Sequence, residues 1–210
     1  MFGIINFGAF LLAGVLLNLT PGSDTVYILG RSISKGRKAG LLSALGISTG
    51  ALIHTVFAAF GLSIILAQSA TAFNVVKYAG AIYLIYLGVR SVAAKHKSEF
   101  AIKENATFIS NRKIYLSGIL TNVLNPKVAL FFLAFLPQFI DPGYANSALP
   151  FFVLGLTFVT TGTIWCIVLA LFSAKLSNRI KQNIKVRVWL DRFTGMVFIL
   201  LGVKLALLKS

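Results

Sequence analysis

The chain has 210 residues, of which 57% are hydrophobic and 12% charged, with a formal net charge of +15 and a mean hydropathy of +0.86. These values exclude an ordinary soluble domain. They define an all-α integral membrane protein, because the apolar residues form continuous blocks of about 20, long enough to span a roughly 30 Å hydrocarbon core as helices, and not the alternating strands of a barrel.

Apolar runs between charge clusters predict six transmembrane helices near residues 4–30, 40–67, 70–90, 114–139, 147–172 and 189–208. The opening "MFGIINFGAF" lacks the basic n-region of a signal peptide and is read as part of span one. That span is interrupted by "NLTPGSD" (18–24). Thr20 is a good N-cap type and Pro21 suits a first helical position, so the break reads as a helix restart. Pro21 precedes Arg31 by about ten residues, roughly 15 Å of helix, which puts the break near the bilayer midplane.

Span two carries Gly46, Gly50 and His54 at spacings of four, on one face that a neighbouring helix can approach closely. Span three carries Tyr83 and Tyr86 one turn apart, as candidate cavity-lining residues, and closes on "LGVR" (87–90). Span four is interrupted by "NVLNP" (122–126), with Asn125 and Pro126 in the restart positions and Lys127 just beyond. Thr157, Thr160, Thr161 and Thr163 in span five are expected to bond along or across helices. Residues 175–192 read as a basic amphipathic segment with Leu176, Ile180, Ile184 and Val188 at helical spacing. Span six ends near "LGVK" (201–204).

Lysine and arginine cluster in alternate connections: Arg31 to Lys38, Arg90 to Lys113, and Lys175 to Arg192. The connections near 68–70 and 140–146 carry neither, so the basic loops are expected in the cytoplasm and both termini outside. The net charge is then topology, and no nucleic-acid partner is expected. The chain is read as one membrane transport domain, 1–210. It comprises a three-helix half (1–92), a cytoplasmic connection (93–113) and a second three-helix half (114–210).

Three spans per half require the repeat to be inverted, and both halves have a broken first helix. Paired interruptions of this kind point to the substrate site of secondary transporters. The two restarts approach the midplane from opposite sides, so the positive ends of both half-helices face one region. Asp24 and Lys127 lie within a turn of their breaks, at a depth where an ionisable side chain costs at least about 2.5 kcal/mol and therefore marks a functional candidate.

The candidate substrate-binding set is Asn18, Thr20, Pro21, Gly22, Asp24, Asn122, Asn125, Pro126 and Lys127. In this set Asp24 takes an ammonium group, and Lys127 with the helix ends takes a carboxylate. The alternative is a structural Asp24–Lys127 pair. Asp24 and His54 are the candidates for proton coupling. No metal site is expected, since no cysteine–histidine cluster exists and Asp24 has no carboxylate counterpart in span four. No cofactor is expected, and no nucleophile or redox set suggests an enzyme. The lone Cys166 excludes an intrachain disulfide. Small-residue stripes such as Gly46–Gly50 leave a homo-oligomer open.

The stretches "NLTPGSDTVYILGRSISKGRKAGLLSALGISTG" (18–50), "KYAGAIYLIYLGVRSV" (77–92) and "GILTNVLNPKVALFFLAFLPQFI" (118–140) resemble the LysE/RhtB family of amino-acid exporters along the whole chain. The resemblance implies export of amino acids or close derivatives across a bacterial inner membrane, driven by proton exchange. Its motif residues are Pro21, Gly22 and Asp24 in one half and Asn125, Pro126 and Lys127 in the other. It departs at Ser23, where the family pattern commonly has a second proline. The wider superfamily includes divalent metal-ion exporters and thiol-electron carriers, against which stand the missing metal cluster and the single Cys166.

Overall fold

The computed structural model describes residues 2–62, 70–93, 110–144 and 146–182, together with residues 192–193, 195–196, 199–200, 202–203 and 206–207, which are helical. Most of the 93–113 connection, much of predicted span six and the side chains of the 175–192 segment lie outside the described residues. Among the described residues the architecture is all-helical, apart from an isolated antiparallel bridge between Ile4 and Ile140.

Helix α1 (Phe7–Leu19) stops because Pro21 disfavours helical geometry at the residue before it, and Thr20 is extended at φ −67°, ψ 121°. Helix α2 (Ser23–Lys35) begins after an extended Gly22. The expected restart at Thr20 and Pro21 is therefore displaced. Thr20 closes α1 instead, its N–H donating to Leu16 O and Leu17 O and its hydroxyl to Leu16 O at 2.7 Å. The chain then stays extended through Gly22 before the next helix starts.

Gly36, at φ +83°, joins α2 to α3 (Arg37–Phe57), which runs on through a π-helical turn at Ala58–Leu62. A side chain there would be strained, so this one-residue hairpin depends on glycine. Helix α4 covers Ala70–Ala93. Helix α5 (Asn111–Val123) opens with the Ser110 side chain accepting from Lys113 N. Helix α6 (Pro126–Leu130) continues through a π turn at Phe131–Phe135 and a 3-10 turn at Leu136–Phe139. Helix α7 (Ala148–Gln182) extends ten residues past the expected end of span five.

Among the described residues, two stretches, Arg37–Leu62 and Ala148–Ser173, are long and apolar enough to cross a membrane. The pairs α1–α2 and α5 with Pro126–Phe139 each bend by 47° at a short break, and they raise the number to four if each pair is one span.

Packing rests on small residues where helix backbones touch and on a buried cluster rich in aromatic side chains. A Cβ at Gly46 of α3 would collide with Tyr115 O and lie 3.1 Å from the Cα of Gly118 on α5. The two backbones are therefore in direct contact, as membrane helices require when lipid offers no hydrophobic drive for association. Phe10, Phe131, Phe132, Phe135, Phe151 and Phe158 form one buried cluster. A second, of Ile28, Leu29, Ala44, Ile47, Cys166, Leu169 and Ala170, lies between α2, α3 and α7. The N-terminal segment is tied to the connection after α6 by Ile5 N donating to Phe139 O and Asp141 N to Gly3 O.

Candidate functional site

The two breaks meet side by side. At the first, Asp24 occupies the opening turn of α2, where a carboxylate is favoured by the positive end of the helix. At the second, Asn125 caps α6, its Oδ1 accepting from Lys127 N at 3.1 Å, with Pro126 in the first helical position. Lys127 then reaches across to α1, donating from Nζ to Leu17 O at 2.7 Å and to Thr20 O at 2.8 Å. An ammonium on the last carbonyls of a helix is electrostatically favourable. Although its backbone opens α6, the charge of Lys127 serves the negative end of α1. Gly22 lies beneath this bridge, a Cβ there being 3.9 Å from Lys127 Nζ.

Asn122, 2% exposed, donates from Nδ2 to Asp24 Oδ2 at 2.8 Å. Its backbone O is 3.3 Å from His54 Nε2, and the His54 ring stacks on Phe132 at 5.7 Å. Asp24, Asn122 and His54 thus form one chain from the first break to α3. Asn122 fits because α3 has Gly50 opposite, where a Cβ would lie 2.7 Å from Asn122 Cβ. Asn18, near the end of α1, is seated similarly on α7. A Cβ at Gly162 would be 3.1 Å from Asn18 Oδ1, and Asn18 Nδ2 donates to Thr161 Oγ1 at 3.3 Å.

Around these groups lies a cavity of about 50 Å³. Asn18, Thr20, Gly22, Asp24, Asn122, Asn125 and Lys127 all line it. Its remaining wall is largely apolar and comes mainly from α3 and α7, including Ile47, Ala51, Phe158, Val159 and Trp165. Pro21, Pro126 and His54 do not line it; the prolines shape the breaks and His54 stands behind Asn122. Tyr86 is exposed on α4 and does not line the cavity, and the Tyr83 side chain is outside the described residues. Thr157 and Thr160 bond back to Val153 O and Leu156 O, whereas Thr163 donates across to Ser48 Oγ at 2.7 Å. Among the described residues no cluster of three or more His, Cys, Asp or Glu could hold a metal ion.

Sequence reasoning missed the α3 and α7 contribution. The available signal was a second echo between the halves, Ser48-Thr49-Gly50 and Thr160-Thr161-Gly162. Each glycine of this echo seats the asparagine that precedes a break in the other half.

Among the described residues, two membrane-length helices and two bent apolar pairs, with a cavity where the bends meet, define a helical membrane protein. Residues 15–209 match the family model described as LysE type translocator, and the chain belongs to that family of transporters. It is 31% identical over 209 residues to the uncharacterized membrane protein YrhP of Bacillus subtilis, covering 95% of this chain and 97% of that one. It is 28% identical over 209 residues to proteins named leucine efflux protein from Salmonella choleraesuis and Salmonella typhimurium, covering 100% of this chain and 98% of theirs. No solved structure matches the chain.

Proposed function

We propose that the chain is a secondary transporter that exports amino acids or close derivatives from the cytoplasm by alternating access, with a proton taken up in exchange. The observation that carries this reading is the joining of Asp24, Asn122 and Lys127 around one cavity at the two breaks. A zwitterion needs an acceptor for its ammonium group and positive charge near its carboxylate. Asp24 supplies the first and Lys127 the second. The relatives named leucine efflux protein and the apolar wall of the cavity make leucine the first substrate to test.

Proton exchange uses Asp24 as the group that holds either a proton or the substrate ammonium, with His54 as the second titratable member through Asn122. Six spans in two inverted halves account for the contacts between distant segments. A Cβ at Gly88 would lie 2.6 Å from Gly195 O and 2.9 Å from Ile199 N; one at Gly202 would lie 2.8 Å from Ala81 O and 3.2 Å from Ile85 N. The two contacts have the same spacing in opposite directions, as an antiparallel pair related by a pseudo-two-fold axis would have. The hydrogen bonds between residues 3–5 and 139–141 put the N-terminus on the side of a connection without lysine or arginine. This supports outside termini in a bacterial inner membrane.

Export of labelled leucine from preloaded cells, with and without a proton gradient, tests the reading. Wild type is expected to lower retained leucine. Asp24→Asn and Lys127→Ala are each expected to remove most of the effect at equal membrane abundance. Unchanged export in both variants would overturn the site, and divalent-cation transport without amino-acid transport would overturn the substrate class.

A further inference from the structure

Two polar atoms at this cavity have no hydrogen-bond partner among the described residues: Asn122 Oδ1 and Trp165 Nε1. Both are buried, and both residues line the cavity. One is an acceptor and the other can only donate. A buried polar atom without a partner costs roughly 1–3 kcal/mol, and a ligand that offers both a donor and an acceptor would offset that cost at each.

The orientation of Asn122 is set by its neighbour. Its Nδ2 faces the Asp24 carboxylate at 2.8 Å, which leaves Oδ1 for a different donor. Trp165 is anchored by packing against the buried cluster of α2, α3 and α7 that includes Ile47 and Leu169. The Lys127 ammonium donates to Leu17 O and Thr20 O. The lysine therefore brings charge to the cavity while holding α1, and a substrate carboxylate, with two acceptor oxygens, needs a further donor.

We propose that Trp165 is a substrate-binding residue: its indole N–H donates to the carboxylate of the amino acid, while Asn122 Oδ1 accepts from the ammonium group alongside Asp24. This rests on the amino-acid reading above. The indole then selects for an intact carboxylate, and decarboxylated amines lose that contact.

The test uses the full-length protein in lipid nanodiscs with labelled leucine and with 3-methylbutylamine, its decarboxylated counterpart. Trp165→Phe is expected to weaken leucine binding about 10-fold, the equivalent of a hydrogen bond to a charged group, and to leave the weak competition by the amine unchanged. In a Trp189→Phe background a single indole remains, and its 15N–1H resonance is expected to move on adding leucine but not on adding the amine. That measurement needs no change at Trp165 and stands even if Trp165→Phe misfolds. Leucine bound by wild type with an unmoved indole resonance, or with equal affinity in a folded Trp165→Phe, overturns the role of Trp165. Binding of no amino acid by wild type overturns the function itself, and the present assignment with it.

Discussion

Lys127 and Asn122 do different work although each is a polar side chain within a turn of the same break. Lys127 satisfies carbonyls of another helix, so Lys127→Met should leave Leu17 O and Thr20 O short of a donor and cost about 2 kcal/mol. Thermal unfolding in detergent measures this, and the loss should appear with no substrate present. Asn122 positions Asp24, so Asn122→Ala should raise the apparent KM for export several-fold. Asn18→Ala should do so less, because Asn18 donates to Thr161 Oγ1 and not to a charge. At this scale the sequence was partly legible. The breaks and intramembrane charges stand out against an apolar background, whereas Trp165 in "TTGTIWCIV" looks like any other apolar side chain until its N–H is found buried.

Among the described helices, α3 packs directly on α5, where Gly46 meets Gly118 and Tyr115 O. Neither backbone can give way to a side chain, so Gly46→Val should force the pair apart and cost about 1–3 kcal/mol. Reduced abundance and a lowered unfolding temperature would report it. The glycine spacing on span two was visible from its period of four, but a period names a face without naming the helix that covers it. The restart at Pro21 shows a different limit. Thr20 has the chemistry of an N-cap, yet its N–H and hydroxyl turn back to the last carbonyls of α1. A local rule for starting one helix was overruled by the end of the helix before it.

For the molecule as a whole, the paired contacts of Gly88 and Gly202 imply paired behaviour. Gly88→Ala and Gly202→Ala should lower the unfolding temperature by similar amounts, because each methyl meets a backbone carbonyl and a backbone N–H at matched distances. Clearly unequal losses would argue against the pseudo-symmetry. Orientation is open to labelling in a Cys166→Ala background. Single cysteines at the exposed Ser34 and Ser110 should react from the cytoplasmic side, and one at the exposed Gly143 from outside. Charge placement makes this topology an expectation that labelling can test, while the way helices share a cavity depends on side chains that meet from opposite ends of the chain.

With Pro21 and Pro126 aligned, the residue matching Lys127 in the first half is Gly22, and Gly22 is where the lysine side chain lies. Key and notch thus occupy the same register in two otherwise parallel designs. A homodimer of either half would present two keys or two notches, never one of each. Fusion into a single polypeptide guarantees their pairing at one to one, so the asymmetry that the proposed recognition of a zwitterion requires is inherited with the chain.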